Sequence, residues 1–279
     1  MNISQNIVEN VKKIDGDCRT TWDTRAIAYV TGISHGSVAK ILREHRGARP
    51  ERNNPSHDRR TRFLLRDVMW SSDCTETDSG KLILKTLDEK TGFTLGYDVV
   101  RSENAEDITG HAENIIARFG RAPLVWKYDN GPGFKSRMFG NTLARHGVIP
   151  YPIHRRSPWT NGRTECSHKD VHRWLIPAEE AGLTGNEFMR DLNEGMVMLN
   201  YLKPRAVLGF KTAAREYFDD KGVTEYDRAR LWKEVEKIHG YFVKYNHRRV
   251  VRIAMQRLGL YEEWILGNKE AKSVNRSTV

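Results

Sequence analysis

The spacing of apolar residues along the chain changes near residue 66, and with it the predicted structure. Residues 1–47 read as short helices: Asp23 can cap one through Val30, Gly32 suits a tight turn, and Ser34 can cap a second to Glu44. In that second helix Val38, Ile41 and Leu42 share one face, while Ser37, Lys40 and Arg43 lie elsewhere with His35 beside them. This is a helix-turn-helix pattern, which an ordinary helical hairpin would also produce. Residues 48–65, rich in Arg, Asn and Pro, read as an extended basic linker. Strands follow at Val68–Thr75, Lys81–Leu87 and Phe93–Val100, separated by turns at Ser79-Gly80 and Lys90-Thr91-Gly92. A helix over Ala105–Phe119, a strand at Leu124–Tyr128, a helix at Arg137–His146, a strand at Val148–Ile153 and a helix at Thr160–Leu175 complete the order βββαβαβα. Further helices are predicted at Asn186–Leu202, Thr212–Phe218 and Thr224–His239, then a strand at Gly240–Asn246 and a basic helix at Arg248–Leu266.

Charge sharpens this division. The net charge is +10, and Lys plus Arg outnumber Asp plus Glu by 13 to 7 over residues 1–66 and 8 to 3 over residues 239–279, against 20 to 21 over residues 67–219. A near-neutral body with basic ends fits a catalytic domain held on a polyanion, because phosphate neutralisation supplies most sequence-independent affinity. Solvated tails would carry the same excess. No window is apolar enough for a membrane span or a secretory core, so a cytoplasmic protein is expected. Cys18, Cys74 and Cys166 lack the spacing of a zinc knuckle or disulfide framework and read as reduced thiols.

Three acids stand in settings that need explaining. Asp73 interrupts a half-buried strand containing Met69 and Trp70, where a charge is costly unless paired or metal-bound. Asp129 follows a strand end directly, in Tyr128-Asp129-Asn130-Gly131-Pro132-Gly133-Phe134, a sharp turn of the kind that often carries function. Glu165 enters a helix after Ser157-Pro158-Trp159-Thr160-Asn161-Gly162-Arg163-Thr164. Glu76 has opposite strand parity to Asp73, and Asp78 and Asp88 fall at turns where solvated carboxylates are ordinary.

These segments resemble insertion-sequence transposases and retroviral integrases, whose catalytic domains have a ribonuclease H-like fold. The likeness rests on Trp70-x-x-Asp73-x-Thr75, on Leu87-Asp88-Glu89-Lys90-Thr91, on Asp129-Asn130-Gly131 with Phe134, and on Ser157-Pro158-Trp159 through Asn161-Gly162 to Glu165. Between Asp129 and Glu165 lie 35 residues, the family's characteristic spacing. Asn200-Tyr201-Leu202-Lys203-Pro204 through Lys211-Thr212-Ala213 resembles the end of bacterial transposase cores. The resemblance implies an α/β fold with a mixed five-stranded sheet over residues 66–219, an all-α helix-turn-helix domain over 1–47, and a small helical, basic C-terminal appendage over 220–279. It implies two Mg²⁺ ions, with Mn²⁺ as substitute, Asp73 bridging both and Asp129 and Glu165 each holding one.

The implied activity is cleavage at the 3′ ends of a mobile element and strand transfer into target DNA, by a dimer or higher assembly in the bacterial nucleoid. A ribonuclease H-fold nuclease and a DNA-binding regulator with an idle triad are the rival readings. DNA contacts are expected from His35, Ser37, Lys40 and Arg43, from Arg155 and Arg156, and from the helical face bearing Glu165, His168, Lys169 and His172. Lys169 matches a DNA-contacting basic position of the family. A solvated polar face would look the same for the histidines, and a His168–His172 zinc site lacks the metalloprotease Glu and an evident third ligand. Cys166-Ser167-His168 departs from the family, which usually has Arg after the glutamate. No His-His-Cys-Cys zinc segment precedes the core, which favours a bacterial transposase over a retroviral integrase.

Overall fold

The computed structural model describes residues 4–46, 59–153, 162–241, 246–267 and 270–272. The chain folds into two compact units, and neither is one stretch of sequence: residues 1–54 with 165–219, and residues 55–164 with 220–279.

In the first unit, α1 (Gln5–Asp17), α2 (Thr24–Thr31) and α3 (His35–Arg46) bury Val11, Cys18, Trp22, Ala26, Ile27, Val38, Ile41 and Leu42 together. Asp23 caps α2 by accepting from the Arg25 and Ala26 amides at 2.9 and 2.8 Å, and Gly32 ends it at φ +67°. Ser34 accepts from the Ser37 amide at 3.2 Å at the start of α3. Buried charges join these helices to the later part of the unit. Arg19 grips Asp191 through two hydrogen bonds of 2.8 and 2.7 Å and lies 4.2 Å above the Trp174 ring. Lys203 donates to the Thr21 carbonyl at 2.6 Å and to Asp170 at 2.5 Å, while burial pushes its pKa down. The single helix expected over Asn186–Leu202 divides into α7 (Gly185–Val197) and a π-helical turn, Met198–Leu202. α8 spans Ala213–Asp219.

The second unit contains the mixed sheet. Its strands are β2 (Met69–Glu76), β3 (Leu82–Asp88), β4 (Thr94–Val100), β5 (Val125–Tyr128) and β6 (Ile149–Pro152), in the order β4-β3-β2-β5-β6. β2, β3 and β4 pair antiparallel, whereas β2, β5 and β6 pair parallel. The parallel strands are linked by α4 (Ala105–Phe119) and α5 (Arg137–Arg145), as parallel pairing requires a long crossover. α4 buries Ile108, Ala112, Ile115 and Ile116, the face its spacing predicts. Trp70, Trp126 and Phe139 meet edge to face in this unit, at centroid separations of 5.3 and 5.9 Å.

The chain after Asp220 differs from its expected form. α9 (Glu225–Tyr241) and α10 (His247–Arg257) place Leu231, Val235, Ile238, Val250, Val251 and Met255 in one core with Met69, Val125 and Ile149 of the sheet. The helix expected over Arg248–Leu266 ends at Arg257 and gives way to β7 (Tyr261–Gly267), paired with β8 (Glu270–Lys272). Leu258 and Gly259, at φ +66°, end the helix, and β-branched and aromatic residues follow. β7 also pairs antiparallel with β1 (Arg59–Phe63), so the expected linker ends in a strand. The strand expected over Gly240–Asn246 begins instead as the end of α9, and residues 242–245 lie outside the described part.

Candidate active site

The parallel pairing of β2 and β5 positions two of the three acids singled out in the sequence. Met69 pairs with Val125, Ser71 with Lys127 and Ser72 with Tyr128. Side chains alternate between faces, so Met69, Ser71 and Asp73 share one face with Val125, Lys127 and Asp129. Asp73 and Asp129 each follow the last β2–β5 pair, Ser72 and Tyr128, so both lie just past the same end of that paired stretch, Asp129 beyond β5 and Asp73 still within β2, opposite Lys85 of β3. Ascending that face, an apolar row gives way to a polar row and then to the acids.

The Asp129 turn is fixed locally. Asp129 accepts from the Gly131 amide at 2.9 Å, and Asn130 donates to the Ile153 carbonyl at 2.5 Å. A side chain at Gly131 would collide with the Glu103 carboxylate, and one at Gly133 would come within 2.5 Å of the Asn104 carbonyl. Glu103, in the loop before α4, was not evident from the sequence because no motif marks it. Its carboxyl is pushed above its ordinary range by burial and then by the charges of Asp129 and Asp73, and it bonds to the Cys74 thiol. The Asp129 carboxyl is likewise raised, by burial first and with a further contribution from Asp73. Three like charges thus crowd one strand end, and a cation there would relieve them. Oxygen donors of this kind suit Mg²⁺. Among the described residues, no set of three or more His, Cys, Asp or Glu side chains is already arranged as a metal site.

Lys85, opposite Asp73 on β3, is wholly buried and adds an amine to the same face, a second feature the sequence pattern hid. Asp88, expected to be a solvated turn acid, is instead fully buried. It accepts from the Asp67 amide at 2.9 Å and from the Thr91 amide and hydroxyl at 2.8 Å. Burial, with Asp67 nearby, raises its pKa to about 6.

Glu165 lies in the first turn of α6 (Gly162–Glu180). Thr164, directly before it, is buried and shares a 2.9 Å hydrogen bond with Ser71. Of the expected DNA contacts, Lys40, Arg43 and Lys169 are exposed, Ser37 and His172 are half-buried, and His35 is exposed with its Nε2 2.8 Å from the Thr24 hydroxyl. His168 is buried at 7% exposure, so the face expected to carry Glu165, His168, Lys169 and His172 is not uniformly open. Arg155 and Arg156, with the Ser157–Asn161 segment, lie outside the described residues. Cys18, Cys74 and Cys166 are free thiols, and among the described residues no helix is long and apolar enough to cross a membrane.

Residues 66–158 match the family model of the Integrase core domain. A comparison with curated proteins finds no match. Among solved structures, a simian T-cell lymphotropic virus intasome in complex with a PP2A regulatory subunit is similar, at 18% identity over 74% of this chain and 74% of that one, with a TM-score of 0.51. The catalytic core domain of BIV integrase matches at 21% identity over 55% of this chain and 95% of its own, with a TM-score of 0.46. An HTLV-2 integrase catalytic core domain in complex with magnesium matches at 18% identity over 55% of this chain and 98% of its own, also at 0.46. Over residues 66–158 the chain is thus similar to the Integrase core domain, and the mixed sheet on which those residues fold, with the likeness to the intasome structure, gives this part of the chain a ribonuclease H-like fold.

Proposed function

We propose that this chain is a metal-dependent DNA transposase that cleaves the 3′ ends of a mobile element and joins them to target DNA. The observation that carries this reading is the placement of Asp73 and Asp129 side by side, just past the end of the paired β2–β5 stretch, within the residues that match the Integrase core domain. Asp73, Asp129 and Glu165 would hold two Mg²⁺ ions, or Mn²⁺ in their place. Such a metal pair supplies an activated attacking oxygen and a stabilised leaving oxygen. In the first step a water oxygen bonds to phosphorus and the element's 3′ oxygen leaves as a hydroxyl. In the second that hydroxyl bonds to a target phosphorus and the target's own 3′ oxygen leaves. One phosphodiester forms for each one broken in the joining step, so no ATP is needed. The exposed Lys40, Arg43 and Lys169 would neutralise DNA phosphates.

The test incubates the protein and Mg²⁺ with supercoiled plasmid and labelled duplexes copied from the DNA on either side of its gene, searched first for inverted terminal repeats. Joined product is expected from the wild type and none from Asp73→Asn or Asp129→Asn. Shortened ends without joining would identify a nuclease of the same fold. DNA binding with neither reaction would identify a regulator.

A further inference from the structure

We propose that Glu89 is a positioning residue that ties together the three segments carrying Asp73, Asp129 and Glu165. This rests on the catalytic reading above for the importance of those acids. Glu89 is buried just beyond β3, its amide donating to the Met69 carbonyl at 2.9 Å. One carboxylate oxygen takes the Lys127 ammonium in a close ion pair, and the other lies 3.8 Å from the Arg163 guanidinium. The Ser71 hydroxyl donates to the same carboxylate. Ser71, Lys127 and Arg163 each stand two residues before one of the three acids.

That spacing has geometric force. In a strand a two-residue step returns to the same face, so Ser71 and Lys127 form the row beneath Asp73 and Asp129. Arg163 reaches the hub from the first turn of α6, where it also donates to the Lys90 carbonyl at 3.0 Å, and the Thr164–Ser71 hydrogen bond locks the same junction. Two cations and a hydroxyl thus satisfy one buried carboxylate, and each arrives from a different acid-bearing segment. A buried charge with several fitted partners resists displacement of any of them, because each withdrawal leaves uncompensated charge. An apolar residue at position 89 could fill the same space but could not fix three segments in register.

The test uses full-length protein with Glu89→Gln, Glu89→Gln/Lys127→Met and Arg163→Met. Two quantities are read: amide hydrogen exchange without metal over residues 69–73, 125–129 and 166–169, and Mn²⁺ affinity from the free-ion paramagnetic signal. The hub predicts that both Glu89 variants loosen all three stretches together and weaken Mn²⁺ binding about tenfold or more. Arg163→Met, which keeps the Lys127 pair, should loosen the 166–169 stretch alone. Wild-type exchange in a folded Glu89 variant overturns the proposal. So does a double variant that restores both stability and exchange, since charge balance alone would then account for Glu89. If both Glu89 variants unfold, Arg163→Met decides: an unchanged 166–169 stretch overturns the hub. A wild-type protein with no Mn²⁺ uptake that Asp73→Asn abolishes would sink the catalytic reading, while the exchange result would still judge the hub.

Discussion

At Asp88 a carboxyl is held away from water, so its proton is retained well above the usual carboxylate range, to a pKa of about 6. The sign of the pH effect follows. Because the folded-state pKa lies above the unfolded value, this group's contribution to stability is fully present below about pH 4 and is lost as pH rises through about 6. Carboxyl-carbon NMR should show Asp88 titrating near 6 and Glu89 below its ordinary range, since the cations beside Glu89 outweigh its burial. A titration of Asp88 in the range of a solvated acid would contradict its burial.

Gly131 is the other residue at which a small change has a definite consequence. A methyl group there meets the end of the Glu103 side chain, which can move, and approaches an Asp129 carboxylate oxygen at 3.1 Å. Gly131→Ala should therefore fold normally but lower end cleavage about tenfold or more by shifting Asp129, the proposed metal ligand. Unchanged cleavage would show that the turn tolerates displacement. Both residues explain what was legible in sequence. The turn around Asp129 was readable because Gly and Pro impose local backbone geometry, whereas burial at Asp88 and the approach of Glu103 depend on residues distant in sequence.

At the scale of elements, the antiparallel meander and its two crossover helices follow from local periodicity, since each buries a face with its own repeat. α9 and α10 were legible as elements in part, but their destination was not. They complete the core beneath Met69, Val125 and Ile149, and a 3.6-residue stripe does not name the surface that covers it. The junction is also polar: Asp220 accepts from the Arg66 amide at 2.8 Å and pairs with Lys90 at 2.8 Å. Leu231→Ala in α9 should cost roughly 2–5 kcal/mol, read as a lower urea midpoint followed by tryptophan emission. A loss under about 0.5 kcal/mol, the ordinary range for surface changes, would show that α9 is not part of the core.

For the whole molecule, the proposed reaction requires two element ends to be held together. Sedimentation of the protein with end duplexes should give at least two protomers per pair of ends, and one protomer per pair would contradict synapsis. Charge supplies a second expectation. Lys40→Ala with Arg43→Ala should weaken binding to unrelated duplexes as well as to end sequences, and should reduce the salt slope by about one to two. An unchanged slope would place phosphate contact elsewhere on the chain.

The sequence by itself determined the order of elements along the core, the glycine turn after β5 and the capped α2, and it singled out Asp73, Asp129 and Glu165 as the acids to test. Periodicity, turn chemistry and motif spacing are local, so they survive without coordinates. Tertiary structure decided the partnership of the basic tail with the sheet, the burial of Asp88 and His168, the crowding of Glu103 against the acids, and the meeting of Ser71, Lys127 and Arg163 at Glu89. Each joins residues far apart in the chain, and only their common packing against one sheet or one helix gives them a shared environment.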